Sequence, residues 1–93
     1  MARILKYPLI PSREVQRVEL PLGAQVVSVI EQNGKIMLYA ICDEMERMER
    51  RDLLVVGTGW KIDLTDWPRV EPIGTVKVDP FVWHVLEVHD LPF

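Results

Sequence analysis

At 93 residues, 48% hydrophobic and 27% charged, the chain has the size and balance of one globular domain, which excludes a disordered polypeptide and a fibre. The formal net charge of -3, with Lys and Arg scattered singly apart from Arg47, Arg50 and Arg51, leaves no basic stripe for a nucleic acid backbone. One cysteine, Cys42, rules out an internal disulfide or a cysteine zinc cluster, and with no signal-like N-terminus and no apolar run near about 18 residues the expected setting is a reducing cytoplasm without membrane contact.

Arg3 to Tyr7 reads as a short strand ended by Pro8, with Pro11-Ser12 completing a turn. Glu14 to Leu20 alternates weakly and reads as a half-covered strand, after which Pro21-Leu22-Gly23-Ala24 turns the chain. The firmest local signal follows: two apolar, β-branched arms between Gln25 and Asp43 meet at Asn33-Gly34, a pair suited to the type I′ turn of a hairpin. Asp43 to Asp52 is the most charged stretch and is expected to be a solvated connection or a single helical turn, or else a projection for a partner. Leu53 to Val56 is a continuous apolar run, as in a strand buried on both sides, and ends at Gly57-Thr58-Gly59-Trp60. Lys61 to Pro72 loses all pattern and reads as a long loop anchored by Trp67. Ile73 to Val78 and Phe81 to His89 are further strands about an Asp79-Pro80 turn. The last is apolar on both sides, which implies either a central strand or a face used in self-association.

The expected fold is therefore one all-β domain over 1–93. It is a small antiparallel β-sandwich or partly open barrel of about seven strands in a meander, with one short charged connection able to form a helical turn.

Catalytic chemistry is sparse. Ser12 and Ser28 stand in no nucleophile elbow, and Cys42 reads as a packed hydrophobe rather than a partner for His84. His84 and His89 fall on opposite faces of one strand and cannot share an ion, and Asp63, Asp66 and Glu71 lack the spacing of a calcium loop. No metal and no cofactor are implied. The candidate binding residues are Gly57, Thr58, Gly59 and Trp60, where glycines could bring backbone amides to an anion, with Arg69 or His84 beside the charge. The same glycines suit a bulge or tight bend, Gly74 suits a close strand contact, and Trp60, Trp67 and Trp83 suit core or interface anchors.

Six short blocks carry a resemblance over nearly the whole chain: Leu5 to Leu9, Leu20 to Ala24, Glu31 to Gly34, Val56 to Gly59, Ile73 to Thr75 and Val82 to Val85. In this order they resemble a family of small proteins of unknown function encoded by tailed bacteriophages and prophages. The chain departs from that pattern at Tyr39, where a Trp is common, and at Trp60, where a His is common. The resemblance implies a phage-encoded cytoplasmic protein of an infected host and carries no activity with it. The expected role is that of a non-enzymatic accessory protein that binds a host or phage protein, working as a homo-oligomer. The alternative is a small-ligand binder for a nucleotide-like molecule at the Gly57 to Trp60 turn.

Overall fold

Asn33 has φ 53° and Gly34 φ 79°, the two positive angles of a type I′ turn. The turn joins β3 (Gln25–Gln32) to β4 (Lys35–Asp43) in antiparallel register, Gln32 opposite Lys35 and Gln25 opposite Ile41. The computed structural model describes residues 1–90 and adds five strands to this hairpin. They are β1 (Ala2–Leu9), β2 (Ser12–Pro21), β5 (Met48–Gly57), β6 (Arg69–Val78) and β7 (Phe81–His89). No helix occurs among the described residues. The strands make two antiparallel sheets, β1-β4-β3 and β2-β5-β7-β6, so the fold is a small β-sandwich whose sheets do not close into a barrel.

Four expectations are corrected. The strands do not follow a meander: only β3–β4 and β6–β7 pair as sequence neighbours, while β1 pairs with β4 and β2 with β5. Pro8 and Pro11 flank the β1–β2 corner and remove amide donors where a hairpin would pair, and the chain passes there from one sheet to the other. β1 itself continues through Pro8 to Leu9 because it is an edge strand, open on one side.

The charged stretch holds no helical turn: 44–47 is a solvated connection, with Met45 89% exposed, and the rest is strand. Glu46 N donates to Asp43 O at 3.0 Å in a turn, and from Met48 onward the chain is β5, with Met48 opposite Pro21 and Asp52 opposite Arg17. Alternation places Glu49 and Arg51 on the same side as the core residues Leu53 and Val55, and Arg50 and Asp52 on the other. With charges on both sides, the period of two leaves no trace in hydrophobicity. β6 likewise begins at Arg69, ahead of Ile73, and takes Pro72 at an irregularity between Pro72 and Gly74 on the sheet edge.

The core lies between the sheets. Leu9, Val29, Ile36, Leu38, Ala40 and Cys42 from one sheet meet Leu20, Leu53, Val55, Val76 and Val85 from the other, joined by Ala24. Cys42 is fully buried here, on the far side of the second sheet's core from His84, so the two do not meet. β3 lies over β6, and a Cβ on Gly74 would come within 2.8 Å of Val29 Cγ1. Glycine sets the closest approach of the layers.

β5 and β6 each run antiparallel to β7, which separates them, so they are parallel to one another and their connection must travel back along β7. Leu54, Val56 and Val88 point away from the core and are nevertheless 3%, 5% and 2% exposed. Segment 58–68 therefore covers the outer face of the four-stranded sheet, with Leu64 and Trp67 half-buried in it. This accounts for a patternless loop of this length and for the apolar second side of β7, a central strand covered on both faces.

Candidate functional site

The Gly57 to Trp60 stretch is a tight turn, with Trp60 N donating to Gly57 O at 3.1 Å and Gly59 at φ 85°, the positive angle that a type II turn requires at its third position. A Cβ on Gly57 would stand 2.9 Å from Trp60 Nε1, so this glycine seats the indole. Trp60 meets Trp83 edge-to-face at 5.3 Å, Trp83 lies 5.8 Å from Phe81, and the Arg13 guanidinium sits 4.4 Å from the Trp60 ring centre. These rings close one end of the space between the sheets.

Thr58 leaves the turn on the other side. Its Oγ1 is 2.7 Å from His84 Nε2, and His84 Nδ1 is 3.0 Å from Thr75 Oγ1. Thr75 and His84 are direct register partners in β6 and β7, and Thr58 N donates to Val82 O at 3.3 Å. Three of the six short blocks thus converge on one imidazole. A groove of about 460 Å³ adjoins this corner, lined by Thr58, Trp60, Pro80, Phe81, Val82 and Trp83 among others.

Arg69 is not brought to this corner. It pairs with His89, whereas Gly57 pairs with Trp83, six positions away along β7, or about 20 Å at about 3.4 Å per residue. Near the turn, the Arg13 guanidinium is already engaged with Trp60.

The opposite end of the inner face holds a polar cluster that sequence reading missed. Glu87 is 2% exposed, and both its oxygens are taken by Arg51, whose Nη2 donates to Oε1 at 3.0 Å while Nε donates to Oε2. Arg51 Nη1 also donates to Ala24 O at 2.9 Å. The hydrogen bond to Glu87 comes first among the causes that raise the Arg51 pKa above its ordinary value; burial opposes it. Glu71 stands directly across from Glu87, and its Oε1 is 3.3 Å from His89 Nε2. Donor atoms of Glu71, Glu87 and His89 lie within 4.8 Å of one another, but a cation could use Glu87 only by displacing Arg51 from an oxygen. The arrangement is that of a neutralised ion-pair network. Its one signal in the sequence is Glu87 itself, a carboxylate on the same side of the strand as Trp83 and Val85.

A third feature is the outer face of the three-stranded sheet. Ile4 lies opposite Ile41, Pro8 opposite Met37, and Ile30 opposite Met37, all on the side away from the core. Ile4 is 60%, Ile30 42% and Ile41 39% exposed. No chain segment crosses this face among the described residues. The sheet edges, in contrast, are blunted: β1 and β6 carry Pro8 and Pro72, while β2, β3 and β6 carry register breaks at Ser12/Gln16, Val26/Ser28 and Pro72/Gly74. Such devices oppose strand addition.

A family model for a domain of unknown function, DUF7352, matches residues 1–91. The chain belongs to this family. No curated protein and no solved structure matches the chain. Family membership therefore adds an uncharacterised relationship and no chemistry, and the reading of function rests on the geometry above. No helix among the described residues is long and apolar enough to cross a membrane.

Proposed function

We propose that this protein is a binding domain that works as a homodimer, formed by stacking the outer faces of the three-stranded sheets of two copies. The observation that carries this is the uncovered set Ile4, Ile30, Met37 and Ile41, two apolar rows on either side of Lys6, Tyr39 and Ser28, in a chain that covers the apolar residues on the outer face of its other sheet. Three strands about 4.8 Å apart and eight residues long at about 3.4 Å each give a flat area of about 400 Å² per copy. Two such faces bury about 800 Å² in total, below the size of stable interfaces and in the range of weak, concentration-dependent dimers. Charge favours the antiparallel arrangement: β4 begins at Lys35 and ends at Asp43, and a two-fold axis across the strands puts the Lys35 end of one copy over the Asp43 end of the other. Blunted edges leave the face as the route of association. The six sequence blocks support a phage-encoded accessory protein in the cytoplasm of an infected host. Native mass spectrometry of gently purified protein tests the reading: a dimer mass that dissociates on dilution supports it, whereas a monomer throughout, or a monomer bound to a host protein, counts against it.

A second reading is favoured by the aromatic groove beside Thr58 and Trp60: binding of a small ligand. With Arg69 at the far end of the sheet and no charged side chain among its walls, the groove suits an uncharged apolar molecule better than a nucleotide. Quenching of indole fluorescence by an apolar aromatic compound, lost in Trp60→Ala, would support it; calorimetric heat with nucleotides alone would overturn that choice of ligand.

A further inference from the structure

The association face and the ion-pair end leave Thr58, His84 and Thr75 without a role. We propose that Thr58 is a nucleophile for acyl transfer, with His84 as its general base and Thr75 as the residue that orients the base, acting on small uncharged esters held in the adjoining groove. This rests on the second reading above, that the groove takes an apolar ligand.

The geometry carries the proposal. A hydroxyl, an imidazole nitrogen and a third group on the other imidazole nitrogen, each within hydrogen-bond reach, form the arrangement that activates a weak nucleophile. Here the distances are 2.7 Å from Thr58 Oγ1 to His84 Nε2 and 3.0 Å from His84 Nδ1 to Thr75 Oγ1. With the ring proton on Nδ1 donated to Thr75, Nε2 is free to accept the Thr58 proton. Thr58 is exposed and sits on a turn, so an ester carbonyl can reach it. It also lines the groove of about 460 Å³ whose other walls include Trp60, Phe81 and Trp83, which suits an apolar acyl or leaving group.

Thr58 Oγ1 attacks the ester carbonyl carbon and its proton passes to His84 Nε2. The carbonyl–oxygen bond to the alcohol breaks, and the leaving alkoxide takes that proton. The acyl group is then bound to Thr58 as an ester. Water, activated by His84, attacks the same carbon, releasing the carboxylic acid and returning the proton to Thr58. No oxidant or further reactant is needed. Because Thr75 is neutral, it orients the ring without a negative charge to stabilise the imidazolium, so both steps are slow, and with a leaving group that departs without protonation, acylation outpaces hydrolysis and the acylated Thr58 accumulates.

The test uses p-nitrophenyl butyrate with the full chain, following p-nitrophenol release and the intact mass together. The expected result is a burst of p-nitrophenol with a butyryl group on Thr58, abolished in Thr58→Val, lowered about 100-fold in His84→Gln and retained in Thr58→Ser. His89→Gln, which removes the other histidine, should leave the burst unchanged. Thr75→Val should lower the rate and move its pH profile, a change that loss of packing alone would not produce. Equal slow release from the unaltered protein, Thr58→Val and His84→Gln, with no acyl group on Thr58, would overturn the proposal. Indole fluorescence recorded with the butyramide analogue reads groove binding separately, so failure of the chemistry and failure of the ligand reading are distinguishable.

Discussion

Each outer face of this sandwich carries apolar residues among polar ones, and only on one face are they covered. On the four-stranded sheet, Leu54, Val56 and Val88 lie under segment 58–68 and are almost inaccessible. On the three-stranded sheet, Ile4, Ile30 and Ile41 stand in water. The covered face owes its protection to topology, since parallel β5 and β6 on either side of β7 force a crossover. β1, β4 and β3 involve no such return on their outer side. A small domain exposes a larger fraction of its surface than a large one, and an apolar face left over in this way is better explained by association than by stability of the single chain.

One substitution made on both faces gives the sharpest contrast. Leu54→Asp buries an unpaired carboxylate, costs about 4 kcal/mol or more and should abolish cooperative thermal unfolding. Ile41→Asp on the bare face should leave monomer stability within about 0.5 kcal/mol, and equal damage at the two positions would break the comparison. Next in size is the buried pair between the sheets: Glu87→Ala leaves Arg51 without its main partner and should cost about 3 kcal/mol in urea unfolding, while a double change of Glu87 and Arg51 to apolar residues of similar volume should recover much of it. Gly74→Ala should cost about 1 to 3 kcal/mol by pushing its methyl onto Val29. Adding Val29→Ala should reduce that cost in a double-mutant cycle.

The smallest effect is that of pH. Burial, and then the contact with Cys42, push the Tyr7 phenol from 10 up to about 12. An unfolded chain ionises this tyrosine first as pH rises past 10. Its contribution to stability is therefore complete below pH 10 and lost between 10 and about 12. Tyr7→Phe should flatten the stability profile in that range, and an unchanged alkaline slope would show that Tyr7 is not its source.

Much of the fold is legible in local chemistry. Asn33-Gly34 specifies its turn, Leu53 to Val56 reads as doubly buried and is, and the opposed sides of His84 and His89 follow from a period of two. Long-range pairing is what local pattern hides. Met48 to Asp52 looks solvated because its inward residues are charged, and they are tolerated there because Arg51 meets Glu87, 36 positions away. Arg69 lies in the patternless stretch that follows the Gly57 to Trp60 turn and reads as a charge beside it, yet the crossover carries Arg69 to the other end of β7. Thr58 and His84 are legible as candidates beside the Gly57-Thr58-Gly59 turn, but nothing local singles out Thr75, and the three become a group only when β5, β7 and β6 line up.

The most direct test of the association face is sedimentation velocity from low to high micromolar concentration on the natural sequence and on Ile41→Asp. A dimer that forms with concentration and vanishes in Ile41→Asp, with both proteins equally folded, is the expected result. A monomer at every concentration, or a dimer indifferent to Ile41→Asp, would contradict the claim that the bare face of the three-stranded sheet is where two copies meet.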